Sequence, residues 1–435
     1  MRIKHKDKIS VITLGCSKNT VDSERLLNQL KVNDFRIKSD PKSADTVIIN
    51  TCGFIESAKQ ESIDTILNAT ELKKRGKIKK VIVAGCLSER YKDDLMKEIP
   101  EVDSYFGTEK FEEIVNELGG EFKYDLLGER MLTSPSHSAY LKISEGCDNP
   151  CSFCAIPLMR GLHKSTPMDQ LLREAEYLAS QGTKELVIIG QDTTDYGKDI
   201  DGKRNLHELL NKLSEINGIE WIRLMYAYPS HFPVEIMDEI NSNPKIVKYL
   251  DMPLQHITDN CLKSMRRGIS KRRTMELIDT LKSRIDGLIL RTTFIVGYPA
   301  ETEKDFNELY DFVRDTRFDR MGVFTYSIED KTPSFILGDT VPEEEKERRR
   351  DALMELQKEI SNEANSAMVG KELKVLTDRF ENGIYFARSY RDAPEVDGEV
   401  IIETGEKLDI GSFFDVVVTG HDEYDLYANL KPKTI

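Results

Sequence analysis

The sequence predicts an α/β protein with three parts: an N-terminal domain built on a parallel sheet, a central partial (β/α) barrel of the TIM type, and a small C-terminal β-barrel. Three observations predict this fold. In the first third of the chain, short Val- and Ile-rich runs alternate with helix-like sequence. The same alternation resumes in the middle of the chain, and after one long charged helix it gives way to short strands separated by turns. A chain of 435 residues suffices for about three domains of ordinary size.

Three strand candidates in the first third each end in a cysteine. They read KISVITLGC, TVIINTC and KVIVAGC, and they end at Cys16, Cys52 and Cys86, called here the strand-end trio. Their spacing is that of βαβ repeats, in which the strands lie parallel with their carboxyl ends at one edge. A single such cysteine is most often a small buried residue. Three at the same offset instead predict thiols that converge where open α/β sheets bind ligands.

Six further strand candidates begin near Tyr140, with helical sequence between them. They are YLKIS, ELVIIGQ, WIRLMYAY, YLDMPLQH, LILRTTFIVG and MGVFTYS. Six such repeats predict a partial (β/α) barrel, whose functional groups lie at the carboxyl ends of the strands. The turn-rich stretch GERMLTSPSHS before them is interpreted as a linker, and PEEEKERRRDALMELQKEISNEANSAM after them as a long amphipathic helix. We therefore expect domains at residues 1–125, 133–363 and 366–435.

The charge balance argues against nucleic acid as the direct substrate. The chain has 62 Lys and Arg against 76 Asp and Glu, a net charge of −14, whereas binding to nucleic-acid phosphates relies on Lys and Arg. From Met368 onward there are eight Lys and Arg against fourteen Asp and Glu. The predicted β-barrel should therefore repel tRNA and attract a basic protein. Two basic runs, KKRGKIKK and KSMRRGISKRR, are interpreted as solvated faces, with a substrate-facing role as the alternative for the second.

The sequence contains no apolar span of transmembrane length and no apolar run of the length that a signal peptide needs. We therefore expect a cytoplasmic protein with no membrane partner. Seven cysteines, an odd number, in a reducing compartment indicate metal ligation or redox chemistry and not a disulfide framework.

The segment EGCDNPCSFCAIP places Cys147, Cys151 and Cys154, called here the motif trio, in a C-x-x-x-C-x-x-C pattern after the first barrel strand. Thiolates are the ligands that iron–sulfur clusters require, and three of them around a four-iron cluster leave one iron open for a substrate or cofactor. A structural zinc site is the alternative, but it needs a fourth ligand. The nearest histidine candidate, His163, lies beyond the usual zinc-site spacing.

This pattern, with Phe153 before the last cysteine, resembles the radical S-adenosylmethionine (SAM) superfamily. With the strand-end trio and the small β-barrel, the whole chain resembles the methylthiotransferase family, in which the core is a TIM-like radical SAM barrel and the tail is TRAM-like. The matching segments are YLKISEGCDNPCSFCAIPLMRG, PLQH, TFIVGYPAETE and GVFTYSIED. Thr166, in Ser-Thr-Pro, and Ala300, in Pro-Ala-Glu-Thr, depart from the usual motifs, and neither position is an iron ligand.

The resemblance implies SAM and two four-iron clusters as cofactors. The motif trio would be catalytic and would hold the radical-generating cluster, with Phe153 near the adenine of SAM. The strand-end trio would hold a second cluster, which carries the sulfur to be transferred. One SAM would methylate that sulfur, and a second would yield the 5′-deoxyadenosyl radical that removes a hydrogen from the substrate carbon.

The tail segments ARSYRDAPEVDGEV and EYDLYANL resemble the branch of the family that modifies the β-carbon of an aspartate in the twelfth protein of the small ribosomal subunit. We therefore expect a basic ribosomal protein as partner, an electron donor such as a flavodoxin or ferredoxin, and a monomer. One alternative is the sister branch, which adds the same group to tRNA adenosines and for which a basic tail is expected. A second is a non-catalytic iron–sulfur or zinc binding module.

Further candidates are predicted from their places at the ends of strands. Gln191 and Gly297 are predicted to contact the cofactor, with a loop cap and a simple tight turn as their respective alternatives. Gln255 and His256, in PLQH, are further candidates for contact with the cofactor or substrate, and a loop cap is again the alternative. Cys261 stands outside both trios and is expected to be a core residue.

Overall fold

The computed structural model describes residues 7–126 and 128–432, and the N-terminal part of the chain is a parallel sheet with helices on both faces. Its elements are β1 (Lys8–Thr13), α1 (Ser17–Val32), β2 (Arg36–Ile37), β3 (Thr46–Thr51), α2 (Glu56–Lys74), β4 (Lys80–Gly85), α3 (Cys86–Glu98), β5 (Ser104–Tyr105) and α4 (Phe111–Glu117). The strand order is β2-β1-β3-β4-β5. The three predicted strands are β1, β3 and β4.

Every residue of β3 is buried, because a central parallel strand is covered by helices on both faces. The edge strands β2 and β5 were not predicted. Each has only two residues, which is too short to show an alternating pattern in the sequence.

The central part confirms the predicted partial barrel. Its elements are β6 (Ser138–Lys142), β7 (Ser144–Glu145), α5 (Ile156–Arg160), β8 (Lys164–Ser165), α6 (Met168–Ser180), β9 (Glu185–Ile189), α7 (Lys198–Asp201), α8 (Leu206–Ser214), β10 (Trp221–Leu224), α9 (Val234–Ser242), β11 (Ile246–Asp251), α10 (Asp259–Ser264), α11 (Lys271–Arg284), β12 (Ile289–Val296), α12 (Glu303–Thr316), β13 (Arg320–Thr325) and α13 (Glu343–Ser366). Six strands form an open parallel sheet in the order β13-β12-β11-β10-β9-β6. The largest apolar core of the molecule lies between these strands and their outer helices.

The long charged helix and the small β-barrel are also present as predicted. Helix α13 begins with three glutamates, which suit the positive end of the helix dipole. The tail consists of β14 (Glu372–Glu381), β15 (Ile384–Ser389), β16 (Val400–Glu403), β17 (Phe413–His421) and β18 (Leu426–Leu430). These strands close into a barrel in the order β14-β15-β16-β18-β17 around a core of their own.

The concave face of the central sheet is covered by the two other parts of the chain. Val187 and Ile189 of β9 belong to an apolar cluster that includes Val21 of α1 and Leu376 of β14. Because residues from all three parts share this core, neither terminal part is a loosely tethered appendage.

Buried charges also join the C-terminal barrel to the central sheet. Glu185 of β9 is fully buried and accepts hydrogen bonds from Arg223 at 2.9 Å and from Arg388 of β15 at 2.7 Å. Arg320 of β13 donates to Asp392 at 2.6 Å. The pairs made by Arg388 and Asp392 are satisfied only when the barrel is docked in this position.

The stretch expected to be a linker, residues 128–138, has exposed residues at Thr133, Pro135 and Ser136 but buries Arg130 and His137. Arg130 is almost fully buried, with its guanidinium 3.3 Å from Glu24 of α1 and 3.1 Å from Glu174 of α6. It also donates to the carbonyl of Tyr140 at 2.6 Å. The turn-rich composition indicated a loop correctly, but it could not show that one arginine of that loop joins two parts of the molecule.

Within residues 7–126 and 128–432, no helix is both long enough and apolar enough to cross a membrane.

Replacing Glu185 by Gln should lower the free energy of unfolding by roughly 3–5 kcal/mol, because Arg223 would then be buried without a counter-charge and Arg388 would keep only Asp378. Urea unfolding followed by far-UV circular dichroism measures this change. The matched control is Glu220→Gln, which breaks an exposed pair with Lys374 (2.9 Å) and should cost less than about 1 kcal/mol. Equal losses in the two variants would contradict the prediction.

The same variant should change the response to acid. Burial alone would raise the pKa of Glu185, but Arg388 and Arg223 outweigh it and hold the pKa below its usual value. A carboxyl group with a lowered pKa in the folded state stabilises the fold above its unfolded pKa of about 4.3 and loses that contribution as the pH falls. Below about pH 4.3, the wild type should therefore lose stability more steeply than Glu185→Gln.

Candidate active site

The strand-end trio lies at one edge of the N-terminal sheet. Cys16 immediately precedes α1, Cys52 follows β3, and Cys86 is the first residue of α3. The loops that carry them are in contact: Gly15 has a φ of 90°, and a Cβ atom there would lie 2.9 Å from Sγ of Cys52. Cys52 and Cys86 are buried, whereas Cys16 is exposed. The parallel topology has brought the three strand ends together.

Asn19 of α1 holds this edge in place. Its amide nitrogen donates to the carbonyl groups of Leu14 at 2.6 Å and Thr51 at 3.1 Å, and its Oδ1 lies 3.9 Å from Sγ of Cys86. Burial raises the pKa of Cys86 to about 12, and the other two thiols of the trio are close enough to add to that effect. Three neighbouring thiols, two of them shielded from water, are a donor set that fits an iron–sulfur cluster with three protein ligands.

The motif trio lies in the loop between β7 and α5, at the mouth of the partial barrel. The turn into this loop requires glycine: Gly146 has a φ of 70°, and a Cβ atom there would lie 2.1 Å from the carbonyl oxygen of Leu162. Further along, Ser152 bonds through its backbone N–H to the carbonyl of Met265 at 3.0 Å and through its hydroxyl to that of Ser264 at 2.9 Å. The loop is therefore fixed from both ends.

Two side chains contact the thiol of Cys151. Arg267 donates to its Sγ at 3.2 Å, and the hydroxyl of Tyr228 lies 3.6 Å from the same atom. The Arg267 guanidinium also stacks over the Tyr228 ring, 4.3 Å from its centre. The buried guanidinium thus places a positive charge beside one of the three sulfur atoms that would bind the cluster.

A closed zinc site is not formed by these residues. Among residues 7–126 and 128–432, no group of three or more His, Cys, Asp and Glu side chains is arranged to hold a single metal ion. His163, the candidate fourth ligand, has its Nε2 3.1 Å from Oγ of Ser165. The three thiols of the motif, with no fourth protein ligand beside them, suit a cluster that keeps one position open.

A cleft of about 220 Å³ opens beside the motif loop, at the carboxyl ends of the barrel strands. Its wall includes Asp148, Asn149, Asp192, Tyr228 and Arg267. Because both signs of charge line this cleft, it can accept a zwitterionic ligand such as the amino-acid end of SAM.

Four buried charged residues, called here the interdomain ion cluster, join α1 to the barrel between the two trios. They are Asp22 of α1, Lys142 of β6, Glu145 of β7 and Arg160 of α5. Arg160 donates to Asp22 at 3.1 Å and to Glu145 at 2.8 Å. Lys142 donates to Asp22 and, at 2.6 Å, to Glu145. Burial would raise the pKa of Glu145, but Lys142 and Arg160 outweigh it and hold that pKa at about 2.

The two trios lie on facing surfaces. Cys86 of the strand-end trio packs against Ala155 and Met159, which follow the motif trio in sequence. Helices α3 and α5 are therefore in direct contact, and Cys86 of the strand-end trio faces the barrel.

Gln191 contacts the interdomain ion cluster, since its amide nitrogen donates to Oε1 of Glu145 at 3.0 Å. Its Oε1 has no partner among the described residues. Gly297 has a φ of 74°, and a Cβ atom there would lie 2.3 Å from Cγ of Lys346, so turn geometry and helix packing already require glycine. Phe153 packs beside Tyr298. For Gln191, Gly297 and Phe153, contact with the cofactor stays a prediction.

The PLQH segment is buried behind the cleft. The backbone of Gln255 bonds to β12 through the carbonyl of Thr293 at 2.8 Å. His256 is fully buried, and burial lowers its pKa to about 4, so its ring is neutral at pH 7. Cys261 is fully buried in α10 and belongs to neither trio.

Several residues of the site were not found by sequence reasoning. Arg267 lies in the run KSMRRGISKRR, which was interpreted as a solvated face, yet its guanidinium is buried against Cys151. Arg160 and Asp22 lie far apart in sequence, so nothing local indicates that they pair. A lysine or arginine next to a predicted ligand loop is the only signal that the sequence offers for such contacts.

Three family descriptions match the chain. They are "Uncharacterized protein family UPF0004" over residues 8–107, "Radical SAM superfamily" over residues 141–313 and "TRAM domain" over residues 369–430. A protein of Chloroherpeton thalassium named ribosomal protein uS12 methylthiotransferase RimO is 54% identical over 98% of this chain and 99% of its own length. The chain belongs to the RimO family.

Other members of the RimO family are similar over the same span. A Cytophaga hutchinsonii protein of the same name is 50% identical over 98% of each chain, and one from Bacteroides thetaiotaomicron is 48% identical over 98% of this chain and 99% of its own. As a RimO family member with a radical SAM domain, this chain is a radical SAM methylthiotransferase, and SAM and a four-iron cluster are its cofactors.

Solved structures of more distant proteins share the fold. The radical SAM methyltransferase TsrM from Kitasatospora setae superposes with a TM-score of 0.55 at 13% identity, covering 91% of this chain and 80% of that one. The cobalamin-dependent radical SAM enzyme OxsB gives a TM-score of 0.52 at 12% identity over 80% of this chain and 56% of that one.

Changing Gly146 to Ala should abolish iron binding by the motif trio, because the added Cβ atom would overlap the carbonyl of Leu162. Iron content and the visible absorbance of the anaerobically reconstituted protein measure the loss. Gly161→Ala is the matched control: Gly161 has a similar φ of 72° but no atom within 4 Å of its added Cβ. The control should cost only about 1–2 kcal/mol of backbone strain and keep its iron.

Proposed function

We propose that this enzyme adds a methylthio group to the β-carbon of an aspartate in ribosomal protein uS12. The observation that carries the proposal is the match to proteins named for that activity at 54% identity over 98% of the chain. Within the proposed division of the chain, residues 1–125 bind an auxiliary cluster, residues 133–363 form the radical core, and residues 366–435 contact the ribosomal protein.

The exposed charges of the C-terminal barrel support a basic partner. Two carboxylates of this tail are internal, since Asp392 pairs with Arg320 and Asp397 with Arg291 of the central sheet. Those that remain exposed within the described residues are Glu372, Glu381, Glu395, Glu403, Glu406, Asp409 and Asp415, against four exposed lysines. The outer surface therefore stays acidic, which favours association with a Lys- and Arg-rich ribosomal protein and disfavours tRNA.

We also propose that the strand-end trio binds a second four-iron cluster. The C–H bond at the aspartate β-carbon is too weakly acidic for a side-chain base, so the reaction needs a cofactor-derived radical. When bound, the motif-trio cluster supplies the electron that cleaves SAM and generates this radical, and the second cluster supplies the sulfur. A flavodoxin or ferredoxin is the proposed electron donor.

The residues of the chain hold and orient these groups. Arg267 places a fixed positive charge on the thiol of Cys151. The interdomain ion cluster holds α1, and with it the strand-end trio, against the mouth of the barrel. The facing packing of α3 on α5 excludes water from the space beside Cys86. We expect the enzyme to be a cytoplasmic monomer.

The proposed substrate is tested with the anaerobically reconstituted wild-type enzyme, SAM and a low-potential reductant. Incubation with purified uS12 should add one methylthio group to an aspartate, as seen by mass spectrometry of its peptides. Incubation with unmodified tRNA should give no product. Product on tRNA and none on uS12 would overturn the proposal.

The two trios should fail in different ways. Cys151→Ala should abolish both 5′-deoxyadenosine and methylthiolated product, because the radical is not formed. Cys52→Ala should lose about half of the bound iron and the product but keep reductive cleavage of SAM. Iron analysis and chromatographic measurement of 5′-deoxyadenosine distinguish the two. Full product formation by Cys52→Ala would overturn the second-cluster proposal.

Reversing exposed charge on the C-terminal barrel should weaken binding of uS12. The triple variant Glu403→Lys, Glu406→Lys, Asp409→Lys should raise the KM for uS12 roughly tenfold at low salt, with a smaller effect at high salt. The control makes the same change on an exposed face of α3, at Asp93, Asp94 and Glu98, and should leave KM unchanged. Equal KM values for the two triple variants would contradict the proposed docking surface.

A further inference from the structure

Lys18 is a buried cation that no carboxylate neutralises among residues 7–126 and 128–432. The residue is only 6% exposed. Its ammonium group lies over the ring of Tyr226, 3.0 Å from the ring centre. One ring face can satisfy only one side of an ammonium group, which has three N–H donors. Among the residues that the structure describes, the remaining donors have no hydrogen-bond partner.

The position of Lys18 in α1 is unfavourable for a positive charge. It is the second residue of the helix, in a first turn that contains no acidic residue, so the charge lies at the positive end of the helix dipole. Burial of an ammonium group is also costly when it is not paired. Unfavourable placements of charge such as this one are found mainly at functional sites, where the side chain binds a ligand.

Lys18 extends from the strand-end trio to the mouth of the barrel. It follows Cys16 by two residues, and its neighbour Asn19 fixes the turn by bonding to the ends of β1 and β3. Tyr226 follows β10 at the carboxyl edge of the central sheet and has a φ of 59°. Its backbone N–H donates to Asp251 at 3.1 Å. Both partners of the contact are therefore held rigidly at the interface between the two trios.

We infer that the ammonium group of Lys18 binds the carboxylate of the aspartate that is modified. This inference rests on the proposed function, because it concerns the substrate of that same site. The carboxyl carbon of an aspartate side chain is bonded directly to its β-carbon. A cation that binds the carboxylate therefore holds the β-carbon one covalent bond from the bound carboxyl group, between the two trios. In this role Lys18 forms no covalent bond with the substrate.

The same contact gives selectivity for aspartate over asparagine. An amide group can accept a hydrogen bond through its carbonyl oxygen but has no net charge, so it leaves the buried cation without a counter-charge. A second possible source of a carboxylate is the methionine part of SAM. In that case loss of Lys18 would change SAM cleavage and not the choice between the two substrate side chains.

The test compares wild type with Lys18→Met, which keeps the length and apolar character of the side chain and removes the charge. Each enzyme is given uS12 with its native target aspartate or with asparagine at that position. Lys18→Met should lower kcat/KM for the aspartate substrate roughly 10- to 100-fold, as expected for loss of a charge-assisted hydrogen bond. It should leave the small rate with asparagine nearly unchanged. Lys18→Arg should restore part of the preference for aspartate.

Other readouts separate this role from a purely structural one. Iron content and the KM for SAM should be the same in wild type, Lys18→Met and Lys31→Met, an exposed control on the same helix. The unfolding midpoint of Lys18→Met should not fall below that of wild type, because the variant removes an unpaired buried charge. An unchanged preference for aspartate in Lys18→Met would overturn the inference, as would a raised KM for SAM. If wild type modifies neither form of uS12, the proposed function fails instead, independently of Lys18.

Discussion

The placement of the two cysteine trios depends on the interdomain ion cluster. Charges taken out of water cost several kcal/mol each unless their geometry and remaining hydrogen bonds are nearly ideal. Asp22 reaches this condition only when α1 lies against β6 and α5, where Lys142 and Arg160 both donate to it. A shift of the N-terminal domain by a few ångströms would take Asp22 away from both of its cationic partners and leave Lys142 and Arg160 with Glu145 as their shared counter-charge. The ion cluster therefore allows essentially one arrangement, and in that arrangement Cys86 of the strand-end trio faces the barrel.

The central sheet has too few strands to close on itself, and the terminal parts of the chain complete it. A closed barrel fills its interior with its own side chains, whereas here α1 and β14 contribute apolar residues to the concave face. Arginines and carboxylates of the C-terminal barrel neutralise charges on the inner strands. The open side that remains between the N-terminal domain and the carboxyl ends of the strands is where a substrate side chain can approach both trios. The small number of strands in the central sheet thus explains both why the terminal parts pack against it and why one side stays open.

Sequence patterns predicted the periodic elements and the cysteine positions, because both depend on local spacing. All six central strands and the three cysteine-ending strands are present, and so are α13 and the closed tail barrel. Pairings between distant residues were not predictable: Arg160 and Asp22 are separated by 138 positions, and no local signal connects them. The same is true of Arg130, whose loop resembles a linker in composition. Lys18 was overlooked because a single lysine near a helix start is ordinarily solvated.

The shared core on the concave face has a consequence for how this architecture can be altered. Three separate family descriptions match the chain, which suggests interchangeable modules. A radical core produced without its tail, however, would expose to water the apolar residues of the central sheet that pack against Leu376. It would also leave Glu185 with one arginine in place of two. A chimera that borrows its tail from another protein needs a guanidinium at position 388 and a carboxylate at position 392 to fold on this core. Recombination among such enzymes is therefore restricted by buried charge as well as by substrate recognition.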